Sequence, residues 1–252
     1  MNNHSKVIII GIGGCSRCGK TLLTRELKNL YKNVIDKDYQ FTDIISSIHL
    51  DRYFDMSKIN KNIVKTDMGN SYPNWEFPGS LNWDKFYLDI EEEIKNIDKK
   101  IKESPFPDKK GILIIEGFLL YSPLFSNDLD KYDYLNLFDY YIYICLDKSI
   151  AKARRMKTTR VPPDYYDFIL WPEHIKNCSD YVDFFEDEMY DNKNVLIIDG
   201  NKQYDSKKVA ICILKWIKVL KSCDNDCNSL YNILFTPIED QLNLLKKNFN
   251  KY

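Results

Sequence analysis

The feature that most constrains the fold is a glycine-bearing stretch near the first residue, "GCSRCGKT" from Gly14 to Thr21. It comes shortly after "VIII" (Val7–Ile10), a run of β-branched residues that is typical of a short buried strand. Beyond it, leucines recur at helical spacing between Lys20 and about Tyr31. The order of strand, glycine-rich loop and helix predicts the opening unit of an α/β domain.

Two kinds of site fit this stretch. The pair Cys15-x-x-Cys18 suits a metal or a disulfide, whereas Gly-x4-Gly-Lys-Thr suits a phosphate group. A structural metal site needs four ligands, and Cys223 and Cys227 are separated by three residues in a polar segment without a nearby histidine. A redox pair would leave Gly19–Thr21 unexplained. Phosphate binding explains every part, so we prefer it.

In that interpretation, the glycines let successive main-chain N–H groups converge on an anion, and the helix dipole adds to the attraction. The Lys20 side chain reaches the β- and γ-phosphates of a nucleotide, and the Thr21 hydroxyl binds Mg²⁺. The predicted nucleotide-binding residues of the loop are Gly14, Cys15, Ser16, Arg17, Cys18, Gly19, Lys20 and Thr21.

Short apolar runs alternate with helical patterns along the rest of the chain. Asn82 predicts the N-cap of a helix that extends to about Lys102, and a basic helix is predicted from about Lys148. Residues 55–80 show little periodicity, which predicts an irregular excursion. Further strands are predicted at 44–48, 112–117, 140–146 and 195–200. The alternation predicts an α/β fold, a doubly wound parallel sheet of the P-loop NTPase type flanked by helices, with a small lid.

The composition of the chain argues against duplex nucleic acid as a partner and against a segment that crosses a membrane. A formal net charge of −1 argues against duplex nucleic acid, and no apolar run approaches the roughly 18 residues needed to cross a bilayer. The polar start "MNNHSK" shows no secretory signal, so we expect a cytoplasmic protein whose seven cysteines are reduced. The sequence does not decide the oligomeric state, and a monomer is the simpler expectation.

Two acidic residues follow predicted strands, Asp51 in "LDRYF" and Glu116 after "ILII". In a doubly wound sheet both strand ends open onto the edge that carries the phosphate loop. A carboxylate there accepts the proton of an attacking hydroxyl or holds Mg²⁺, and the alternative is a solvated charge at a strand end. Together with the loop, the pair favours a small-molecule kinase over a switch or a motor.

The basic run "KARRMKTTR" (Lys152–Arg160) precedes the proline-bearing "VPPDYY". Such a run is either a solvated helix face or, as we favour here, an arginine-bearing lid that ends in a mobile loop. We therefore assign residues 1–222 to a P-loop kinase domain with its lid at about 152–170. Residues 223–252 are interpreted as a helical extension packed on the same domain, because "TPIE" at 236–239 matches a capping box.

These motifs occur in the order found in nicotinamide riboside kinases, close relatives of uridine kinases, and the chain resembles that family from about Val7 to Gly200. The resemblance rests on "GIGGCSRCGKT", "LDRYF", "NWEFPGSLNW", "ILIIEGFLLY", "RRMKTTR" and "YYDFILWP". It implies an ATP- and Mg²⁺-dependent kinase that phosphorylates the 5′-hydroxyl of nicotinamide riboside, and also of nicotinic acid riboside, in NAD salvage. The implied partner is a small-molecule nucleoside.

The resemblance also implies roles for single residues. Lys20, Asp51 and Arg160 would be catalytic, with Asp51 as the base and Arg160 near the transferred phosphoryl group. Arg155 would join the nucleotide site, and Thr21 and Glu116 would hold Mg²⁺. In the acceptor site Trp75 would stack on the nicotinamide ring, while Glu76, Glu116 and Asp51 would contact the sugar. "DGNK" from Asp199 would lie beside the adenine.

Several positions depart from the family pattern. Glu76 stands where Asp is common, and the lid is shorter, so that Tyr165 or Tyr166 would replace the aromatic that covers the base. Met156 leaves the register of Arg154 and Arg155 open. Two rival hypotheses therefore stay open, a uridine or cytidine kinase and a nucleotide-binding regulatory protein without turnover.

Overall fold

A computed structural model describes residues 6–34, 41–121, 137–157, 161–178, 185–186, 194–219 and 225–249. Its strands are β1 (Val7–Gly14), β2 (Phe41–His49), β3 (Ile63–Lys65), β4 (Ser71–Pro73), β5 (Lys110–Glu116), β6 (Tyr140–Cys145) and β7 (Val195–Asp199). Five of them form one sheet in the order β2-β5-β1-β6-β7, and every neighbouring pair in it is parallel. Strands β3 and β4 form a separate antiparallel hairpin.

The helices are α1 (Lys20–Val34), α2 (Met56–Ile59), α3 (Trp83–Glu103), α4 (Lys148–Met156), α5 (Pro163–Tyr165), α6 (Trp171–Cys178), α7 (Ser206–Trp216), α8 (Asn225–Leu234) and α9 (Ile238–Phe249). A π-helical turn, Tyr166–Leu170, joins α5 directly to α6, so residues 163–178 are helical throughout. A 3₁₀ turn, Leu50–Tyr53, follows β2. None of the helices in the described ranges combines the length and the apolar character that a membrane crossing requires.

Helices cover both faces of the sheet, because the strands alternate their apolar side chains between two cores. On β5, Leu113 and Ile115 belong to the core that also contains the buried side chains of α3. Ile112 and Ile114 belong to the core on the other face, which also contains buried side chains of α1 and α7. All four side chains are inaccessible to solvent. The predicted doubly wound parallel sheet is confirmed.

The long helix α3 follows its sequence pattern closely. It begins at Trp83, and the Asn82 side chain accepts a hydrogen bond from the Lys85 N–H at 3.0 Å, as an N-cap does. Its buried stripe consists of Phe86, Ile90, Ile94, Ile97 and Ile101. Burying such a stripe supplies most of the stability of a helix, since isolated helices are marginal in water.

The excursion over residues 55–80 is more regular than the sequence predicts. It contains the short helix α2 and the β3–β4 hairpin, although strands of three residues are too short to show a period of two. The Asp164 carboxylate at the start of α5 holds the hairpin by accepting hydrogen bonds from Thr66, Asn70 and Tyr72. A contact so distant in sequence leaves no local signal.

Two further expectations need correction. Strand β1 does not stop at Ile10 but continues through Gly14, because β5 and β6 pair with it on either side. The expected mobile loop "VPPDYY" is helical from Pro163 onward, and Tyr165 and Tyr166 are buried. Proline at the first position of a helix needs no N–H partner, so this sequence starts a helix rather than preventing one.

The C-terminal helices lie against the edge strand β7. The Gln241 side chain of α9 accepts a hydrogen bond from the Ile197 N–H at 2.9 Å and donates to the Thr236 carbonyl at 3.0 Å. It thereby covers a main-chain donor that an edge strand would otherwise expose. The assignment of residues 223–252 to an extension of one domain remains a prediction.

Candidate active site

The loop between β1 and α1 is built as a phosphate cradle requires. Gly14 and Gly19 have φ angles of 136° and 114°, in the region that favours glycine, and Arg17 has a φ of 69°. A Cβ on Gly14 would lie 2.6 Å from the Ile144 carbonyl oxygen and 2.8 Å from the Cys18 sulfur. Glycine is therefore required at position 14 both for its backbone conformation and for the space.

Lys20 lies at the N-terminus of α1 and folds back over this loop. Its ammonium donates to the carbonyls of Gly14 and Cys15, both at 2.9 Å. Burial by itself lowers the pKa of Lys20, but the charges of Cys18 and Glu116 raise it above its ordinary value. The side chain is thus a cation held among loop carbonyls at the place where the sequence predicts phosphates.

Thr21 and Glu116 meet at the carboxyl end of the sheet. The Thr21 hydroxyl donates to Glu116 Oε1 at 2.7 Å, and His49 Nδ1 lies 2.6 Å from the same oxygen. The parallel register explains the meeting, because β5 places Glu116 beside His49 of β2 and beside Ile12 of β1. No sequence pattern predicts a role for His49, since its proximity to Glu116 arises only from strand pairing.

A divalent cation fits the donors in this corner. A hydroxyl and a carboxylate are hard oxygen ligands, and Mg²⁺ usually binds one or two protein ligands together with water and substrate phosphates. Thr21 and Glu116 would hold it. The residues that the structure describes contain no group of three or more His, Cys, Asp or Glu side chains able to hold a metal alone, so such a site needs further oxygens from a ligand.

Asp51 lies in the 3₁₀ turn after β2 and lines the cavity that is described below. It is exposed to solvent along part of its surface, yet the protein around its carboxylate raises its pKa through desolvation. The Lys20 ammonium opposes this effect, and the negative charge of Glu116 adds to it. Asp51 is therefore a carboxylate made more basic than usual beside the predicted phosphate site.

A single cavity of about 810 Å³ unites most of the predicted residues. Its lining includes Ser16, Arg17, Gly19, Lys20, Thr21, Asp51, Trp75, Glu76, Glu116, Arg155 and Tyr165, all of which were predicted from the sequence. Gly14, Cys15 and Cys18 belong to the loop without lining the cavity. Arg160, the predicted lid arginine, lies outside the described residues.

Aromatic side chains form one wall of this cavity. Trp75 is half-buried and packs edge-on against Phe54 with 5.1 Å between ring centroids, and Phe54 packs against Phe118. The Tyr165 hydroxyl accepts a hydrogen bond from the Trp75 N–H at 3.2 Å. Phe54 and Phe118 were not predicted, although Phe54 lies three residues after Asp51 and Phe118 lies two residues after Glu116.

Of the two candidate tyrosines, Tyr165 is the one at the cavity. Tyr166 points to the other side of the helix, where its hydroxyl donates to the Lys148 carbonyl at 3.3 Å and its ring stacks on Trp171. Tyr165 packs edge-on against Tyr72 with 5.6 Å between ring centroids. Tyr165 is thus the aromatic side chain of α5 beside Trp75.

Glu76 is a buried acid in the wall of the cavity, with 8% of its surface exposed. Desolvation raises the pKa of its carboxyl group to about 7, although the Arg155 guanidinium opposes the rise. The neighbouring charges of Asp51 and Glu173 raise it further. Its ionisation therefore falls close to neutral pH.

The two arginines of α4, Arg154 and Arg155, make different contacts. Arg155 donates to the Ser16 hydroxyl at 3.1 Å and lines the cavity. Its positive charge acts to lower the pKa of both Asp51 and Glu76. Arg154 donates to the Gly200 carbonyl at 3.1 Å and to the Arg17 carbonyl of the phosphate loop at 3.5 Å. Both arginines therefore contact the loop, but of the two only Arg155 lines the cavity, whereas Arg154 joins the loop to the "DGNK" segment.

Cys15 and Cys18 are free thiols buried beneath the loop. Burial raises the pKa of Cys18, but its hydrogen bond with Cys15 and the charge of Lys20 lower that pKa to about 6. No disulfide joins the pair, and among the residues that the structure describes no further His, Cys, Asp or Glu completes a group of three possible metal ligands with it. The geometry agrees with the phosphate interpretation of the stretch.

Comparison with known proteins finds relatives of one kind. Nicotinamide riboside kinase 1 of Homo sapiens is 28% identical over 207 residues, covering 78% of this chain and 86% of that protein. Nicotinamide riboside kinase 2 of Mus musculus is 27% identical over 203 residues, covering 77% and 88%, and the Rattus norvegicus kinase 1 is 26% identical over 196 residues, covering 73% and 85%.

The other comparisons add little. No protein-family model matches the chain. A shikimate kinase from Bacteroides thetaiotaomicron aligns structurally over 84% of this chain and 99% of that chain, but at a TM-score of 0.38 and 12% identity the likeness supports no inference. The resemblance that the motifs predicted is confirmed by the sequence relatives: the chain is distantly similar to the nicotinamide riboside kinases.

Proposed function

We propose that this protein is an ATP- and Mg²⁺-dependent kinase that phosphorylates the 5′-hydroxyl of nicotinamide riboside, and of nicotinic acid riboside, in NAD salvage. The observation that carries the proposal is the single cavity shared by the loop residues Lys20 and Thr21, the acid Asp51, and the pair Trp75 and Glu76. The names of the sequence relatives support the same reaction.

Most of the catalysis would be positioning and charge stabilisation, as in phosphoryl transfer generally. Asp51 would accept the proton of the attacking 5′-hydroxyl, a role that its raised pKa favours. The positive charges of Lys20 and Arg155 would stabilise the negative charge on the phosphate oxygens. Mg²⁺ at Thr21 and Glu116 would supply further neutralisation of the phosphate charge.

The acceptor would bind at the aromatic wall. A cationic nicotinamide ring is attracted to the face of an aromatic side chain, and Trp75 and Tyr165 are the aromatic residues placed beside Glu76. An ionised Glu76 would accept hydrogen bonds from ribose hydroxyls. Recognition of the ring and of the sugar would thus come from the same short segment of chain.

A substrate panel tests this proposal. Purified protein with ATP and Mg²⁺ is expected to phosphorylate nicotinamide riboside and nicotinic acid riboside with higher kcat/KM than uridine, cytidine or pantothenate, as measured by product chromatography. Turnover of uridine without turnover of either riboside would instead assign a pyrimidine nucleoside kinase. ATP binding without any product would assign a regulatory nucleotide-binding protein.

Replacing Glu76 tests the placement of the sugar. Glu76→Ala is expected to raise the KM for the riboside by about 10- to 100-fold, because each lost charge-assisted hydrogen bond costs about 1.5–3 kcal/mol. The KM for ATP should change little. Steady-state kinetics with each substrate varied in turn measure both, and an unchanged riboside KM would place the sugar elsewhere.

The same residue predicts a pH dependence. Because the pKa of Glu76 is raised to about 7, part of the population is protonated at neutral pH, and its protonated oxygen donates a hydrogen bond instead of accepting one from a ribose hydroxyl. The kcat/KM for the riboside should therefore rise as the pH increases through about 7. Glu76→Gln is the matched control, since its amide does not titrate. The part of the rise that belongs to Glu76 should disappear, and only the ionisation of the base Asp51 should remain in the profile.

A further inference from the structure

The segment Trp75–Glu76 is held by side chains rather than by strand pairing. Its four main-chain polar groups bond to four different side chains. The Trp75 N–H donates to the Tyr165 hydroxyl at 3.2 Å, and the Trp75 carbonyl accepts from Ser80 at 2.9 Å. The Glu76 N–H donates to Asn74 Oδ1 at 2.9 Å, and the Glu76 carbonyl accepts from Asn177 at 2.9 Å.

One carboxylate joins the two asparagines of this arrangement. Glu173 of α6 accepts from the Asn74 amide at 3.0 Å through Oε1 and from the Asn177 amide at 3.4 Å through Oε2. Asn74 is almost fully buried, so few water molecules can replace its partners. Each Asn amide turns its donor towards Glu173, and Asn74 thereby keeps its oxygen for the Glu76 N–H.

We propose that Glu173 is a positioning residue for the acceptor site, which fixes Trp75 and Glu76 by orienting Asn74 and Asn177. The inference rests on the function proposed above for its kinetic consequence, but the contacts themselves belong to the structure of the protein. Glu173 does not line the cavity, so its effect on the acceptor site passes through the two asparagines and through its charge, which raises the pKa of Glu76.

The physical reason is the conformational freedom that residues 74–76 would regain without these hydrogen bonds. Hydrogen bonds to an ionised carboxylate are stronger than bonds between neutral groups, so Glu173 restricts both asparagines more than an amide would. Without that restriction the main chain at residues 74–76 gains alternative conformations, and substrate binding has to remove them. Acceptor affinity should fall, whereas the phosphate loop lies elsewhere in the cavity and should keep its affinity for ATP.

Glu173→Gln is the sharpest test, because it preserves shape and supplies only one acceptor oxygen for two amide donors. We expect the KM for the riboside to rise about 10-fold in Glu173→Gln and in Asn177→Ala, with the KM for ATP within about twofold of wild type. The rates are measured at a pH above the pKa of Glu76, so that its carboxyl group is ionised in every variant and the lost charge of Glu173 does not alter its protonation. The double variant should be less impaired than the product of the two single effects, since both changes break the same chain of bonds. Glu93→Gln, the same change at a half-buried acid of α3, is the control.

Hydrogen exchange provides a readout that does not depend on activity. Amide exchange in the peptide that covers residues 74–77 should be faster in Glu173→Gln than in wild type or in Glu93→Gln, because the Glu76 N–H loses its fixed acceptor. Unchanged exchange overturns the positioning role. Faster exchange with equal rises in both KM values also overturns it, since that pattern indicates general loosening.

The two proposals fail in different ways. Wild-type protein that turns over no riboside in the substrate panel contradicts the proposed function, and the exchange experiment then still decides on the role of Glu173. Wild-type turnover combined with a Glu173→Gln riboside KM equal to that of Glu93→Gln contradicts the positioning role alone.

Discussion

Asp51→Asn is expected to lower kcat by about 10²- to 10⁴-fold, the usual contribution of a general base. The amide keeps the size of the side chain but cannot take the proton of the attacking hydroxyl. Because Asp51 lies in the turn after β2 rather than in the phosphate loop, the affinity for ATP should remain close to that of wild type. Rapid-quench or steady-state rates measure the first effect, and calorimetry measures the second.

Asp55→Asn is the matched control for this experiment. Asp55 lies four residues further on, where it caps α2 by accepting from the Ser57 N–H at 3.0 Å, and Asn is an equally good cap. It should keep full activity. A loss in Asp51→Asn smaller than about tenfold would remove Asp51 from the role of base, since such a loss is below the range for that role.

Lys20→Ala is expected to weaken ATP binding by about 10- to 100-fold and to lower kcat as well, because an ammonium bonded to phosphate oxygens contributes more than a neutral donor. The change also removes the two bonds by which Lys20 holds the loop carbonyls of Gly14 and Cys15. The effect should be the same with every acceptor, since it falls on the nucleotide. Calorimetric titration with ATP and Mg²⁺ measures it.

Lys28→Ala serves as the control for Lys20→Ala. Lys28 belongs to the same helix, and its ammonium donates to the Ser47 hydroxyl at 3.0 Å, away from the loop. Its removal should leave ATP binding unchanged. Equal ATP affinity in wild type and Lys20→Ala would contradict the phosphate interpretation of the opening stretch.

The parts of the fold that follow local rules could be predicted from the sequence. The N-cap of α3 and its buried apolar stripe both depend on residues that lie close together in the sequence, from Asn82 to Ile101. Both occur in the structure. The buried runs of β5 and β7 are likewise continuous apolar segments. The β3–β4 hairpin was missed because what holds it, the Asp164 carboxylate, lies more than 90 residues away in sequence.

The site divides in the same way. The loop motif and Asp51 were recognisable, because their residue types and their positions after strands carry the signal. The choice between Arg154 and Arg155 was not, since it depends on how α4 is rotated above the loop. Glu173 and His49 had no pattern at all, because their partners Asn74 and Glu116 are brought to them only by tertiary packing.

The helical stretch 163–178 contacts the excursion 55–80 at both ends, through Asp164 at the hairpin and through Tyr165, Glu173 and Asn177 at residues 74–76. For protein engineering, the two segments therefore have to be treated as one structural unit. A graft that replaces the excursion alone would leave its anchors behind on the host helix, so a change of acceptor specificity requires both segments to be transplanted together.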